Sequence, residues 1–442
     1  MSKPISSPHA NSGKLLKALG IVFGFAVTLG GTFGVVILRV PGQVAASTSN
    51  PWWMMSCWLA VGLYIVASAL TLSEVAALLP RAGGFYVYAR EAFGEAVGFA
   101  AGWADWLTQS ASIAYLALAV GDFSAALWLP LRGWAPLVGT FSILLLTAFQ
   151  IRGLRASSRT QEIASAVQAV GFLILVTACL LWRGPAHPVQ LQPRILEHHS
   201  LGVMVLALRA IAGTYDGWYS VIYFAEEDKN PGRNLPRSMI FGVLTIVTMY
   251  LLLNLAYLHV LGYSAMTRSN FPASDAARTL AGFFGERTIT LLSLLSLPAV
   301  ISASLLCSTR ILFAMSRDRL FWAGASDVNR RGTPRNALLI SAGCAIVLLS
   351  GGTFDALLGI TGIFTVMSYT LAFVSLVILR RKRSDAFRPF RVPAYPWLPG
   401  LVIAASVAFL VLALSEGKGE TFAAFGLVAC SFPTYLLCKS AV

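Results

Sequence analysis

The chain has 442 residues, 57% of them hydrophobic and only 12% charged, with a mean hydropathy of +0.71; an average soluble domain carries about 25% charged residues. That composition excludes a soluble globular protein and predicts a single membrane-embedded α-helical domain, because the polar gaps are too short to build anything else. The formal net charge of +14 would suit a nucleic-acid partner, but the positions of the basic residues assign it to membrane topology.

Residues 1–16 read as a polar, basic cytosolic tail. The apolar run that follows, about 25 residues, exceeds the roughly 7–15-residue core of a cleavable signal, so the first helix is expected to be retained. A bilayer core needs about 20 apolar residues per helix, since each backbone amide in hydrocarbon must be paired internally. That ruler predicts spans near 17–44, 53–79, 96–119, 134–151, 160–182, 201–224, 238–262, 286–312, 336–351, 355–379, 396–415 and 421–438, about twelve in all. With both ends inside, 24 Lys and Arg residues fall on the inner side and seven on the outer side, while Arg39 and Arg209 lie within spans. An odd number of spans would scramble this positive-inside split. Anionic lipid at the inner leaflet is the expected contact for the basic loops, and no nucleic acid is needed.

Two spans carry glycine clusters at their middles: Gly30-Gly31-Thr32-Phe33-Gly34 in the first and Gly213-Thr214-Tyr215-Asp216-Gly217 in the sixth. Each glycine costs about 1 kcal/mol in a helix interior. Close helix packing explains any single cluster. Two in matched positions five helices apart point instead to unwound segments whose freed backbone groups bind a small solute, and to an inverted repeat of five plus five helices. If the sixth helix restarts near Asp216, its carboxylate caps the new N-terminus; contact with a substrate ammonium is the alternative.

Several strings resemble the amino acid–polyamine–organocation superfamily, nearest its L-type and bacterial amino acid transporter branch. They are Gly34 to Gly42 (GVVILRVPG), Glu74 to Trp103 (EVAALLPRAGGFYVYAREAFGEAVGFAAGW), Tyr215 to Arg237 (YDGWYSVIYFAEEDKNPGRNLPR), and RILFAMSRDRLF with NRRGTPRNA between Arg310 and Ala337. The resemblance implies an all-α LeuT-type membrane fold of about twelve helices, with helices 1 and 6 broken. Residues 17–380 would form the transport core, and 381–442 a cytosolic linker and helices 11 and 12. It also implies that backbone amides at Thr32, Phe33, Gly34, Val35 and Val36 hold a substrate carboxylate. Carbonyls at Gly213, Thr214, Tyr215, Asp216 and Gly217 would hold its amino group. Three departures stand out. Val35-Val36 replace small residues, Gly213 replaces a bulky aromatic gate, and Gln168 occupies a coupling position where bacterial relatives carry a lysine. Glutamine cannot titrate, so proton coupling through that residue is excluded.

Arg39 and Arg209 are expected in the outer half, lining a vestibule that favours anionic substrates; pairing with Asp105 or Asp122 is the alternative. Trp103, Tyr115, Tyr215 and Trp218 are candidate pocket walls. Glu226, Glu227 and Asp228 read as a solvated charge cluster beside Lys229, Arg233 and Arg237, with an inner salt-bridge gate as the sharper reading. Pro80 to Phe85 reads as a tight re-entrant turn. Of the histidines, only His259 falls at a helix end, as a packed or interfacial residue. All six cysteines sit in apolar segments without CxxC spacing, which argues against a metal site or disulfide framework. The outer connection Gly121 to Pro136, where some members of the superfamily bind a glycoprotein partner through a cysteine, has none, so no disulfide-linked heavy chain is expected. No HExxH, GxSxG or GxxxxGK string indicates an enzyme, and no cofactor is implied. A transporter of amino acids or related small amines is the reading these features favour, with a nutrient sensor or a polyamine or other organic-solute permease as alternatives.

Overall fold

The computed structural model describes residues 15–184, 201–351, 354–416, 426 and 429–440. The tail histidine His9 and the loop histidines His187, His198 and His199 lie outside them, as does the side chain of Cys438. Among the described residues all regular structure is helical. The α-helices are α1 (Ile21–Thr32), α2 (Val36–Ser47), α3 (Pro51–Leu78), α4 (Phe85–Phe93), α5 (Glu95–Leu127), α6 (Ala135–Ile151) and α7 (Leu154–Leu180). They continue with α8 (Leu201–Thr214), α9 (Pro231–Met266), α10 (Pro272–Arg317), α11 (Arg335–Gly351), α12 (Phe354–Lys382), α13 (Trp397–Glu416) and α14 (Ser431–Ser440). Six helices, α3, α5, α7, α9, α10 and the 364–382 part of α12, are each long and apolar enough to cross a membrane, and α1 with α2, bent by 48° at their junction, form a seventh candidate. Helices α6, α8, α11 and α13 are apolar but shorter.

The helices are inside-out relative to soluble ones. On α7 the buried face carries Gln161, Ser165 and Gln168, while Ile163, Val167, Val170 and Ile174 are exposed. Such a polarity is stable only where the outer face meets hydrocarbon and the inner face meets other helices. Small residues let those helices approach: a Cβ added at Gly30 of α1 would sit 2.1 Å from the Ser165 hydroxyl. Helices α5 and α10 pack on each other, as do α3 and α9, and α1 lies between α7 and α9.

Several boundaries differ from the sequence reading. The predicted sixth span does not run through to residue 224: α8 stops at Thr214, and turns lead into a short 3-10 helix, Ser220–Phe224. The predicted eighth span begins earlier, at Pro272, with a kink at Ala281 and Gly282. Of the last predicted span, α14 is the described helix, and residues 417–425 lie outside the described set.

After α3 the chain reverses at Gly83 and Gly84, whose φ angles of 113° and 55° suit glycine,. The short α4 is thereby packed into the bundle, burying Tyr86, Val87 and Tyr88. This end of the molecule is closed by ion pairs. Arg310 on α10 meets Glu227 at 3.0 Å, with side-chain exposures of 1% and 0%, and Arg310 also lies over the Phe224 ring. Arg317 meets Glu226 at 2.7 Å, and Asp318 accepts hydrogen bonds from Arg81, Arg90 and Tyr86. Buried Glu74 pairs with Arg380 and accepts the Val392 amide at 2.7 Å. Glu226, Glu227 and Asp228 are therefore not a solvated cluster. Glu227 and Asp228 are buried, and the basic partners come from α10 rather than from Lys229, Arg233 and Arg237 nearby in sequence. Residues 18–19 strap across this closure, with the Ala18 and Leu19 amides donating to the Glu227 carbonyl and Lys229 N–H returning to Leu19.

Removing one partner of a buried pair strands the other charge, which costs about 3–5 kcal/mol. Arg310→Met should therefore lower the thermal-unfolding midpoint of the purified protein sharply, and Arg310→Met combined with Glu227→Leu should recover most of it. A single substitution that leaves the midpoint unchanged contradicts the pairing.

Candidate substrate site

Between α1 and α2 the helix is interrupted at Phe33, Gly34 and Val35, the Phe33 amide making the last bond of α1 to the Leu29 carbonyl. The last carbonyls of α1 and the first amides of α2 are consequently without intrahelical partners, as at any helix end. The second interruption begins where α8 ends at Thr214 and passes through Tyr215 to Tyr219 as turns, with Gly217 at φ 95°. The two interruptions touch. A Cβ on Gly217 would lie 2.2 Å from the Gly31 carbonyl oxygen, and one on Gly31 would lie 2.8 Å from the Ser220 hydroxyl. Tyr250 of α9 ties them together: its buried hydroxyl lies 2.8 Å from the Thr32 carbonyl and 3.2 Å from the Thr214 carbonyl. Its ring packs on Phe33, Trp58 and Tyr215.

A small cavity of about 40 Å³ opens where the interruptions meet, lined by Thr32, Gly34, Val36, Gly213, Asp216 and Gly217 among others, with Gln109, Ser112 and Ser304 on the facing helices. About 10–15 Å³ of such volume holds one water. It therefore takes the polar head of a small molecule and no more. A second cavity of about 490 Å³ adjoins it, and Val36, Tyr115, Gly213 and Asp216 line both. Asp216 does not cap a restarted α-helix, because the chain continues as turns and a 3-10 helix. Its carboxylate instead accepts the Tyr369 hydroxyl of α12 at 2.6 Å.

The remaining sequence candidates divide. Thr32, Gly34, Val36, Gly213, Thr214, Asp216 and Gly217 line the small cavity. The side chains of Phe33, Val35 and Tyr215 are buried in the packing around it. Arg209 lines the larger cavity, but Arg39 does not share its place. It is exposed, stacks on Phe271 at 5.9 Å and lies within electrostatic reach of Asp122. Asp105 pairs with neither arginine, accepting the Tyr223 hydroxyl at 2.9 Å. Of the four aromatic wall candidates Tyr115 faces the cavities, whereas Trp103, Tyr215 and Trp218 are absorbed in ring-to-ring packing. Gln168 is buried on α7 with neither amide atom paired to a described residue. His259, in the last third of α9, meets the Trp182 carbonyl at 3.1 Å.

Tyr250 and Tyr369, the two hydroxyls that hold the interruptions, were not singled out from the sequence. Neither has a glycine, proline or charge beside it: Tyr250 lies between Met249 and Leu251, and Tyr369 between Ser368 and Thr370, so no local signal marks either hydroxyl.

Touching interruptions of this kind, set among apolar membrane-length helices, define a membrane transporter. The chain belongs to the amino acid permease family, which it matches over residues 16–428. It is 29% identical over 413 residues to the serine/threonine exchanger SteT of Bacillus subtilis, covering 91% of this chain and 92% of that protein. It is 26% identical to the b(0,+)-type amino acid transporter 1 of Mus musculus, over 95% of this chain and 87% of that one. Against the large neutral amino acids transporter small subunit 2 of Homo sapiens it is 24% identical, over 88% and 75% of the two chains.

Gly217→Ala adds a methyl group into the Gly31 carbonyl on a backbone that L side chains rarely adopt, so it should abolish substrate-induced thermal stabilisation of the purified protein. Tyr250→Phe leaves two buried carbonyls short of a donor, at about 1–3 kcal/mol; both its melting point and its substrate affinity should fall. Unchanged affinity in both variants would mean that the interruptions do not form the site.

Proposed function

We propose that this protein moves amino acids across the plasma membrane by alternating access, binding them between the two helix interruptions. The observation that carries the reading is the meeting of α1–α2 and α8 at a small polar cavity inside an apolar bundle. Of the amides from Thr32 to Val36, those of Thr32 and Phe33 still belong to the end of α1, and the freed ones at Gly34, Val35 and Val36 present donors to a carboxylate, as helix N-termini do for anions. Carbonyls at Gly213 to Gly217, with Asp216 beside them, present acceptors to an ammonium group. A zwitterionic head group satisfies both sets at once. The relatives named above are amino acid transporters and exchangers by description.

In this reading the chain makes about twelve spans with both ends in the cytosol. Helices 1–5 and 6–10 form inverted repeats within residues 17–380, and 381–442 carries the linker and the last two helices. The matched interruptions five spans apart and the 24-to-7 distribution of basic residues support that arrangement. The closed, ion-paired end around Glu227 and Arg310 then faces the cytosol, and its pairs must break for the inward-open state. Binding at exchanged backbone groups needs no resident cofactor, and the partners are the amino acid and the surrounding lipid.

Exchange is favoured over proton symport, because Gln168 has no titratable proton to offer. In proteoliposomes, uptake of labelled amino acids should accelerate severalfold when unlabelled amino acid is loaded inside and should be indifferent to an imposed proton gradient. Uptake driven by the gradient would overturn the exchange reading, and no uptake of any amino acid would overturn the function itself.

A further inference from the structure

The polar cavity at the interruptions, about 40 Å³, has no room for a substrate side chain. The adjoining cavity, about 490 Å³, falls within the roughly 300–1,000 Å³ typical of small-molecule sites. It lies between α2, α3, α8, α12 and α13, walled mainly by apolar residues such as Val40, Val61, Ile65, Leu208, Val366 and Phe409. Two charged residues border it. Asp216 stands at the junction with its carboxylate held by Tyr369, and Arg209 stands on the α8 wall.

Gly213 sits at that junction, lining both cavities. Apart from Gly34, where the nearest atom to a Cβ would lie at 3.8 Å, the neighbouring glycines have steric reasons to be glycine. A Cβ at Gly24, Gly30, Gly31 or Gly217 would meet another atom within 3.0 Å. At Gly213 a Cβ would meet nothing within 4 Å, and the backbone there is not in the left-handed region that favours glycine. Neither packing nor conformation asks for glycine in a helix, where it costs about 1 kcal/mol. What a side chain at this position would occupy is the passage between the two compartments.

We infer that the substrate's side chain passes Gly213 into the larger compartment, and that the missing side chain at 213 makes this a carrier of amino acids with large, uncharged, mainly apolar side chains. The inference rests on the amino-acid reading above and adds the residue that sets the size limit. A charged side chain would exchange water for mostly apolar walls, and both charged residues at the border already have contacts of their own, Asp216 with Tyr369 among them,. A small one would leave the compartment unfilled and forgo the burial that drives binding.

The test is transport kinetics in proteoliposomes for alanine, leucine, phenylalanine, glutamate and lysine, comparing the unaltered protein with Gly213→Ala, Gly213→Leu and Val366→Phe. The unaltered protein should show lower KM for leucine and phenylalanine than for alanine. Bulk at 213 should raise KM for the large substrates about 10-fold or more relative to alanine, the scale set by a methylene-sized mismatch in an apolar pocket. Val366→Phe shrinks the same compartment from α12, away from the interruptions, and should shift the same ratio. Equal changes for large and small substrates in all three variants overturn the inference while leaving amino acid transport standing. A preference of the unaltered protein for glutamate or lysine also overturns it, since the compartment would then read charge. Absence of all amino acid uptake sinks the functional reading itself, and the inference with it.

Discussion

The structure depends on one constraint: backbone groups set free inside a hydrocarbon-facing bundle must find partners, since water is not there to supply them. At the two interruptions the chain gives up helical hydrogen bonds after Phe33 and again after Tyr215. A single buried hydroxyl, that of Tyr250, reaches a carbonyl from each. Tyr250 is itself fixed by Phe33, Trp58 and Tyr215. The groups that remain unpaired line the small cavity, so the same shortage that makes the fold expensive creates the binding surface.

That arrangement also explains the distribution of small and aromatic residues. Gly31 and Gly217 let backbone meet backbone, and Ser220, three residues after Gly217, turns its hydroxyl back to the Gly217 carbonyl at 2.7 Å. On the far side Tyr369 holds Asp216 and packs against Phe85 at the start of α4. Through that ring the site is in contact with the ion-paired end of the molecule. The pairs of Glu227 with Arg310 and Glu226 with Arg317 join the segment following the second interruption to α10. Any rearrangement of that segment must therefore remake charged contacts, and this couples the state of the site to the closure below it.

How far the sequence reached varied with the kind of interaction. Hydropathy found the long apolar helices, because burial in lipid is a property of each segment by itself, but it missed the end of α8 at Thr214 and the start of α10 at Pro272. Glycine clusters located both interruptions, because the propensity penalty is local. Asp216 was noticed as a deep charge, but its partner was not, since Tyr369 is 153 residues away. Arg39 and Arg209 looked equivalent in the sequence and are not. One faces Phe271 at the surface and the other lines the large cavity, a difference of helix rotation that spacing alone does not give. Glu227 was read as solvated because its neighbours in sequence are charged; its actual partner, Arg310, arrives from another helix.

The amino-acid sequence by itself determined that this is a membrane protein of many helices and which two segments carry the interruptions. These follow from composition, periodicity and local propensity, which act within a segment. Tertiary structure alone decided which groups those interruptions expose and which hydroxyls secure them. It also decided that a large apolar compartment opens beside Gly213, because each of these depends on surfaces from helices far apart in the chain meeting at one place.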